Sequence, residues 1–133
     1  MLDVLFVNPP SPDDWVYIRD INRSGRRTRE GTIWPQTSLA YLAAVMKRAG
    51  YSVDLVDCIA LDIDWRRFRE MLEEKKPRYV VINVISSIVV NDLQTSYLAR
   101  ALGAKSVALG PHLTELPAET MERFPTLDYG IIG

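Results

Sequence analysis

Polar residues and a glycine lie at the ends of three short apolar runs of this sequence, and they have the chemistry to bind a ligand. Asn amides and Ser hydroxyls supply hydrogen bonds, and a glycine lets a ligand approach the backbone closely. Each position also has a simpler interpretation, as a rigid turn or as a hydrogen bond within a neighbouring loop. The residues are Asn8, Pro9 and Pro10, then Asn83, Ser86 and Ser87, then Gly110, Pro111 and His112.

Missing motifs restrict the chemistry open to these residues. Neither GxGxxG nor GxxxxGK[ST] occurs, so the dinucleotide fingerprint and the P-loop are excluded. His112 is the only histidine, which excludes a metal site of several histidines, and no nucleophile elbow accompanies it. A lone imidazole in a loop is either a hydrogen-bonding turn residue or an axial ligand to the metal of a cofactor.

A cluster of arginines lies in the segment that follows the first apolar run. Arginine recognises carboxylate and phosphate groups through paired hydrogen bonds. Because the whole chain has a net charge of −1, nucleic acid is not an expected partner. We expect the cluster to meet an anionic substrate or a partner domain, and a solvated loop is the alternative. Its members are Arg19, Arg23, Arg26, Arg27 and Arg29.

The composition is that of one globular domain with its own core. The chain has 133 residues, 47% of them hydrophobic and 25% charged, and folding requires no metal or disulfide at this size. Cys58 is the only cysteine, so ligand count excludes a disulfide scaffold and an iron–sulfur cluster held by this chain alone. With neither a signal peptide nor an apolar run of membrane-spanning length, the sequence favours the cytoplasm.

The elements that must position these residues follow from hydrophobic periodicity. Short β-branched runs alternate with stretches of helical spacing, which predicts an α/β fold: a three-layer domain with a five-stranded parallel sheet of order 2-1-3-4-5 and helices on both faces. In such a sheet a ligand binds beyond the carboxyl ends of the first, third and fourth strands, where the residues above lie. The predicted strands are residues 2–8, 52–57, 79–85, 105–109 and 127–132. Helices are predicted before Gly50, between Asp62 or Asp64 and Pro77, from Asn91 or Asp92 to Gly103, and from Pro117.

The connection between the first strand and the first helix is unusually long. Residues 9–35 show no period, and so long a connection in a compact domain is a functional or disordered loop. We treat residues 1–133 as a single domain. Because an α/β domain that stops on a bare strand resembles part of something larger, we expect a further domain to follow Gly133.

Several segments, taken in order, match one known family. The chain resembles the N-terminal cobalamin-binding domain of B12-dependent radical SAM enzymes, which include radical SAM methyltransferases and the anaerobic magnesium-protoporphyrin IX monomethyl ester cyclase. The last two matching segments correspond to that family's GGPHxTxxP motif and to the approach to its domain junction. The matching segments are Asn8-Pro9-Pro10, residues 34–44, Gly50 to Val53 with Asp57, residues 76–83 through Asn91, Leu109 to His112 with Leu116-Pro117, and residues 124–129.

The resemblance implies a flavodoxin-like, Rossmann-like fold and a bound cofactor. The expected cofactor is cobalamin in the base-off form, its dimethylbenzimidazole tail held in the crevice by Asn8, Pro9, Pro10, Asn83, Ser86, Ser87, Gly110, Pro111 and His112. S-adenosylmethionine and a [4Fe-4S] cluster would belong to the downstream radical SAM domain, since the CxxxCxxC motif is absent here. The isolated domain is therefore not expected to be catalytic, and the full-length protein would perform methyl transfer or oxidative cyclisation.

A second interpretation belongs to a different class of protein. A flavodoxin-like regulatory or protein-interaction module with an empty crevice fits the same alternation of strands and helices. Leu109 stands where the family commonly has a glycine, which would permit such a loss of the ligand. A receiver domain is disfavoured, because no acidic pair follows the first strand and no aspartate ends the third.

Overall fold

A five-stranded parallel sheet organises the molecule, as the alternating pattern predicts. The computed structural model describes residues 1–19, the backbone of residues 26–28, and residues 33–133. The strands are β1 (Leu2–Asn8), β2 (Val16–Ile18), β3 (Arg26–Thr28), β4 (Val53–Asp57), β5 (Pro77–Asn83), β6 (Lys105–Leu109) and β7 (Tyr129–Gly130). The helices are α1 (Thr37–Arg48), α2 (Trp65–Lys75), α3 (Val89–Ala101), α4 (Pro111–Glu115) and α5 (Pro117–Arg123), and a 3-10 turn, Ser86–Ile88, precedes α3.

The order of the strands creates a crevice at one edge of the sheet. The main sheet has the order β4-β1-β5-β6-β7, and every neighbouring pair is parallel. When the separate β2–β3 hairpin is left out of the numbering, this is the predicted order 2-1-3-4-5. The chain continues from β1 to β4 on one side, whereas β5 lies on the other side of β1. The strand order therefore reverses between β1 and β5, whose last residues are Asn8 and Asn83.

Helices cover both faces of the sheet, which confirms the predicted three-layer arrangement. On one face α1 contacts the sheet through Leu39, Ala43 and Met46, which recur at helical spacing. On the other face α2, α3 and α5 surround a larger core that contains Phe68 and Leu93. Strands β1 and β5 are apolar along most of their length because they face a core on both sides.

Local signals in the sequence define the ends of the longer helices. Asp64 begins α2, since its carboxylate accepts a hydrogen bond of 2.8 Å from the backbone N–H of Arg67. Lys76 ends the same helix in a left-handed conformation, directly before Pro77. Gly50 and Gly103 follow α1 and α3 with positive φ angles, as expected of glycines that end helices.

Four elements, β2, β3, α4 and β7, differ most from the sequence prediction. Strands β2 and β3 pair as an antiparallel hairpin inside the predicted 9–35 loop, and strands of three residues are too short to show a period. Helix α4 begins at Pro111, where only a turn is expected. Strand β7 covers residues 129–130 instead of 127–132, although the N–H of Ile131 still donates to the carbonyl of Ala108 at 2.9 Å.

Candidate functional site

The side chain of Arg19 lies at the point where the strand order reverses. Its guanidinium donates hydrogen bonds to Asn8 Oδ1 at 2.8 Å and to the carbonyls of Pro9 and Pro10 at 2.9 and 3.4 Å. Asn83 Nδ2 in turn donates to the backbone carbonyl of Arg19. Arg19 is fully buried, and Asn8 and Asn83 are also buried. Four residues that the sequence predicts at the crevice therefore surround an arginine of the same chain.

Asp92, in the first turn of α3, is the counter-charge of Arg19. Asp92 Oδ1 accepts from Arg19 Nη2 at 2.7 Å, and Oδ2 accepts from Arg19 Nε at 3.2 Å, a bidentate ion pair without solvent exposure. Oδ2 also accepts from the N–H of Ile85, and Asn91 Nδ2 donates to both Asp92 and the Pro10 carbonyl. Burial raises the pKa of Asp92, and these charges and hydrogen bonds offset it only in part.

The remaining predicted residues lie together beyond the ends of β5 and β6. Ser86 Oγ and His112 Nδ1 share a hydrogen bond of 2.9 Å. Ser86, Ser87 and Pro111 are exposed, whereas His112 is buried. Burial lowers the pKa of His112 and the positive charge of Arg123 lowers it further, against an opposing effect of Asp92, so the imidazole is neutral at neutral pH. Accessible hydroxyls and a neutral imidazole are suited to hydrogen bonding with a ligand.

Gly110 joins this group to the end of β5. A Cβ at this position would lie 2.6 Å from the Val84 carbonyl oxygen and 2.9 Å from Asn83 Oδ1. The turn after β6 therefore packs against the end of β5 as closely as a backbone without a side chain allows. The sequence predicts that Gly110 lets a ligand come close to the backbone. In the structure it is Val84 and Asn83 of the same chain that come close to Gly110.

An apolar groove lies on the α1 face of the sheet, and the sequence analysis did not anticipate it. Its volume is about 450 Å³, within the range of small-molecule sites. We call it the α1 groove: Phe6, Val81, Val107 and Leu109 form its floor on the sheet, and Leu42, Val45 and Met46 form its wall on α1. It extends from Asp3 and Tyr79, near the amino ends of β1 and β5, to Leu109 at the carboxyl end of β6, one residue before Gly110.

The arginine cluster is divided by the structure. Arg19 is engaged with Asp92, so it would have to leave a buried ion pair to meet an external anion. Arg26 and Arg27 belong to β3, of which only the backbone is described, and Arg23 and Arg29 lie outside the described residues. The predicted contact of these arginines with a substrate or partner stays a prediction.

Two further observations concern metals and membranes. Within residues 1–19 and 33–133, no group of three or more His, Cys, Asp or Glu residues could hold a metal ion. In the same part of the chain, no helix has both the length and the apolar character needed to cross a bilayer. Burial, followed by the charge of Asp57, raises the pKa of the Cys58 thiol to about 12, as expected of a buried cysteine that packs as a small apolar side chain.

Sequence reasoning missed Asp92 and Asn91 as members of the site: it placed both at the start of a helix and used Asn91 only as the end of a segment that matches the family. One signal was available: Asp92 occupies a helical position that faces the sheet, and an ionisable residue buried there must find an opposite charge. The arginine that supplies it is 73 residues away along the chain, and no local pattern connects the two.

Comparison with known proteins identifies the family. The family model described as "B12 binding domain" matches residues 26–133, which include β5, β6, α1 and α3 but not β1. No curated protein matches the sequence. The family match covers most of the chain, and the parallel sheet with its crevice at the carboxyl ends of β1 and β5 is the fold expected of it. The chain therefore belongs to the B12-binding domain family.

Proposed function

We propose that this chain binds base-off cobalamin as the cofactor domain of a B12-dependent radical SAM enzyme. Cobalamin as the ligand follows from membership of the B12-binding family. The link to radical SAM chemistry rests on the ordered segments of the sequence, above all Trp34 to Ala44 and Gly110-Pro111-His112. The observation that carries the proposal is the α1 groove, which reaches the carboxyl edge of the sheet at Leu109. At the same edge His112 holds the exposed Ser86.

The residues of this edge fit the chemistry of cobalamin. The nucleotide tail of cobalamin has an apolar aromatic base and a polar ribose phosphate. The α1 groove is apolar and of suitable volume for the base. The hydroxyls of Ser86 and Ser87 are exposed in the 3-10 turn that follows β5 and would donate to phosphate or ribose oxygens. Four other predicted residues would hold this surface in place and would not contact the cofactor, because their polar groups are already hydrogen-bonded to Arg19. They are Asn8, Pro9, Pro10 and Asn83.

If the α1 groove holds the nucleotide tail of cobalamin, the cofactor must be in its base-off form. A benzimidazole that occupies the groove is separated from the cobalt, and no Asp-x-His-x-x-Gly sequence supplies a histidine in its place. His112 is neutral and holds Ser86 through Nδ1, which leaves Nε2 as the remaining ring nitrogen. We assign His112 the role of orienting Ser86 towards the tail.

The catalytic partners of this domain would belong to the rest of the enzyme. When bound, cobalamin supplies a cobalt centre able to carry a methyl group. This chain binds and orients the cofactor, while S-adenosylmethionine and a [4Fe-4S] cluster would be bound by a radical SAM domain after Gly133. The full-length protein would then catalyse methyl transfer or oxidative cyclisation. Arg23, Arg26, Arg27 and Arg29 would contact that domain or an anionic substrate.

The experiment is to add hydroxocobalamin to the purified chain, remove the free cofactor and record the visible spectrum. We expect retained corrin with a base-off spectrum. His112→Ala should weaken retention through loss of the bond to Ser86 without changing the cobalt spectrum, and a changed spectrum would instead make His112 a cobalt ligand. A colourless wild-type protein would contradict the proposal.

One observation favours a second function. Because Arg19 fills the point where the strand order reverses, the same fold could act as a regulatory or protein-interaction module without a cofactor. This alternative predicts the colourless outcome. It also predicts that the chain captures no corrin when S-adenosylmethionine or a separate radical SAM domain is added.

A further inference from the structure

Arg19 and Asp92 are fully buried charged residues to which the proposed function assigns no role. Their side chains form a bidentate ion pair with no solvent exposure. A buried charge must be paired, and the donors of the guanidinium that the pair does not use must also find hydrogen-bond acceptors. Here the guanidinium also binds Asn8, Pro9 and Pro10, so its donors reach across the end of β1 to α3.

The energetics of the pair favour its staying in place when a ligand binds. Expulsion of Arg19 would leave Asp92 buried without its counter-charge, and loss of one partner from a buried ion pair is strongly unfavourable. It would also leave the Pro9 carbonyl without its hydrogen bond from Arg19. A cofactor that displaced this arginine would have to offset both losses. The groove and hydroxyls of the proposed site are available without that displacement.

The pair is connected to the proposed ligand-binding residues on both sides. Asp92 Oδ2 accepts from the N–H of Ile85, the residue directly before Ser86. On the other side, Asn83 donates to the Arg19 carbonyl, and Asn83 Oδ1 lies against Gly110. Movement of the pair would therefore shift the turns after both β5 and β6.

We infer that Arg19, anchored by Asp92, is a positioning residue of the cofactor site: it stays buried in the bound state and fixes the turns that carry Ser86 and Gly110. The inference rests on the proposed function, since it concerns the same site. Arg19 thus holds the site in shape and does not itself contact a ligand. The other four arginines of the cluster, Arg23, Arg26, Arg27 and Arg29, keep their proposed contact with a substrate or partner.

The test compares affinity for hydroxocobalamin with stability. Arg19→Met alone strands a buried carboxylate, so the decisive variant is Arg19→Met with Asp92→Leu, which replaces the pair by apolar side chains of similar size and leaves no buried charge unpaired. We expect the double variant to fold cooperatively and to lose less stability than Arg19→Met alone, while its Kd, measured well below its melting temperature, rises at least about tenfold, as when supporting groups behind a binding residue are removed. The matched control is Arg66→Met with Glu70→Leu, an exposed pair on α2 with the same change in charge, whose Kd should not change.

The outcomes separate the inference from the function on which it rests. A native Kd in the folded double variant would overturn the inference, because the pair would then serve stability alone. Tighter binding by the double variant than by the wild type would overturn it as well, since Arg19 would then occupy space that the ligand must take over. In both cases the wild-type protein still retains corrin. A wild type that retains none would overturn the proposed function, and the inference with it.

Discussion

Gly110 has a backbone conformation that few other residues can adopt. Its φ is 116° and its ψ is 178°, a region populated almost only by glycine. A Cβ would also meet the carbonyl oxygen of Val84, which is backbone and has little freedom to move. The residue is therefore required by the packing of the chain, independently of any ligand.

We predict that Gly110→Ala destabilises the protein by about 3 kcal/mol or more, from strained dihedrals and the clash with Val84. The matched control is Gly103→Ala, which also has a positive φ, of 79°, but open space around the added Cβ. It should cost about 1 kcal/mol. Urea unfolding of both variants measures the difference, and equal losses would show that the contact with Val84 has no energetic weight.

At the scale of the elements, the edge strand β7 depends on one carboxylate. β7 has two residues, which pair with Val107 and Ala108 of β6. Asp128, directly before it, accepts hydrogen bonds from the N–H and hydroxyl of Ser106 and lies 3.3 Å from Arg100 and 3.6 Å from Lys105. Burial acts to raise the pKa of Asp128, but the hydrogen bond from the Ser106 N–H and the two cations, Lys105 and Arg100, outweigh it and lower the pKa below its ordinary value of 3.8.

A lowered pKa in the folded state fixes how this contribution depends on pH. The stabilisation by Asp128 is complete above pH 3.8 and is lost as the pH falls through the folded-state pKa. We predict that Asp128→Ala costs about 1–3 kcal/mol at pH 7, with a smaller difference from the wild type below pH 3.8. Glu122→Ala, which removes an exposed carboxylate from α5, serves as the control. Denaturant unfolding over this pH range provides the measurement, and a pH-independent cost would contradict the assignment.

At the scale of the whole molecule, the two faces of the sheet are covered to different extents. Helices α2, α3 and α5 pack over one face, whereas α1 packs over the other and leaves the α1 groove beside it. Val45 lines this groove with about half of its surface exposed, and Ala44 is exposed without lining the groove. The same helix thus offers a groove position and a solvent position.

We predict that Val45→Arg weakens retention of hydroxocobalamin by at least about tenfold, because it introduces a charge into the apolar groove proposed for the benzimidazole. Ala44→Arg places the same charge on the same helix outside the groove and should leave retention unchanged. Both variants should keep their stability within about 0.5 kcal/mol, since both positions are exposed. Equal retention by the two variants would show that the tail does not use this groove.

The sequence alone predicts the fold and the edge of the sheet at which the proposed site lies. Apolar runs such as Leu2–Asn8 predict strands that are buried on both faces, and the residue that caps α2, Asp64, is also readable locally. These signals lie within a few residues of one another and depend on burial that repeats with a regular period. For the same reason Ser86, Ser87 and Gly110 are identified at the carboxyl edge before any coordinates are known.

Tertiary structure alone decides which of these residues are free to meet a ligand. Arg19 belongs to the arginine cluster by sequence, yet its partner Asp92 is 73 residues away, and only the folded chain brings the two together. The α1 groove likewise joins residues from α1, β1, β5 and β6. Buried charges must pair and apolar surfaces must pack, but the partner that satisfies each requirement depends on contacts between segments far apart in the chain. Such contacts leave no periodic signal, and for this reason the sequence determines the architecture while the packed structure determines the site.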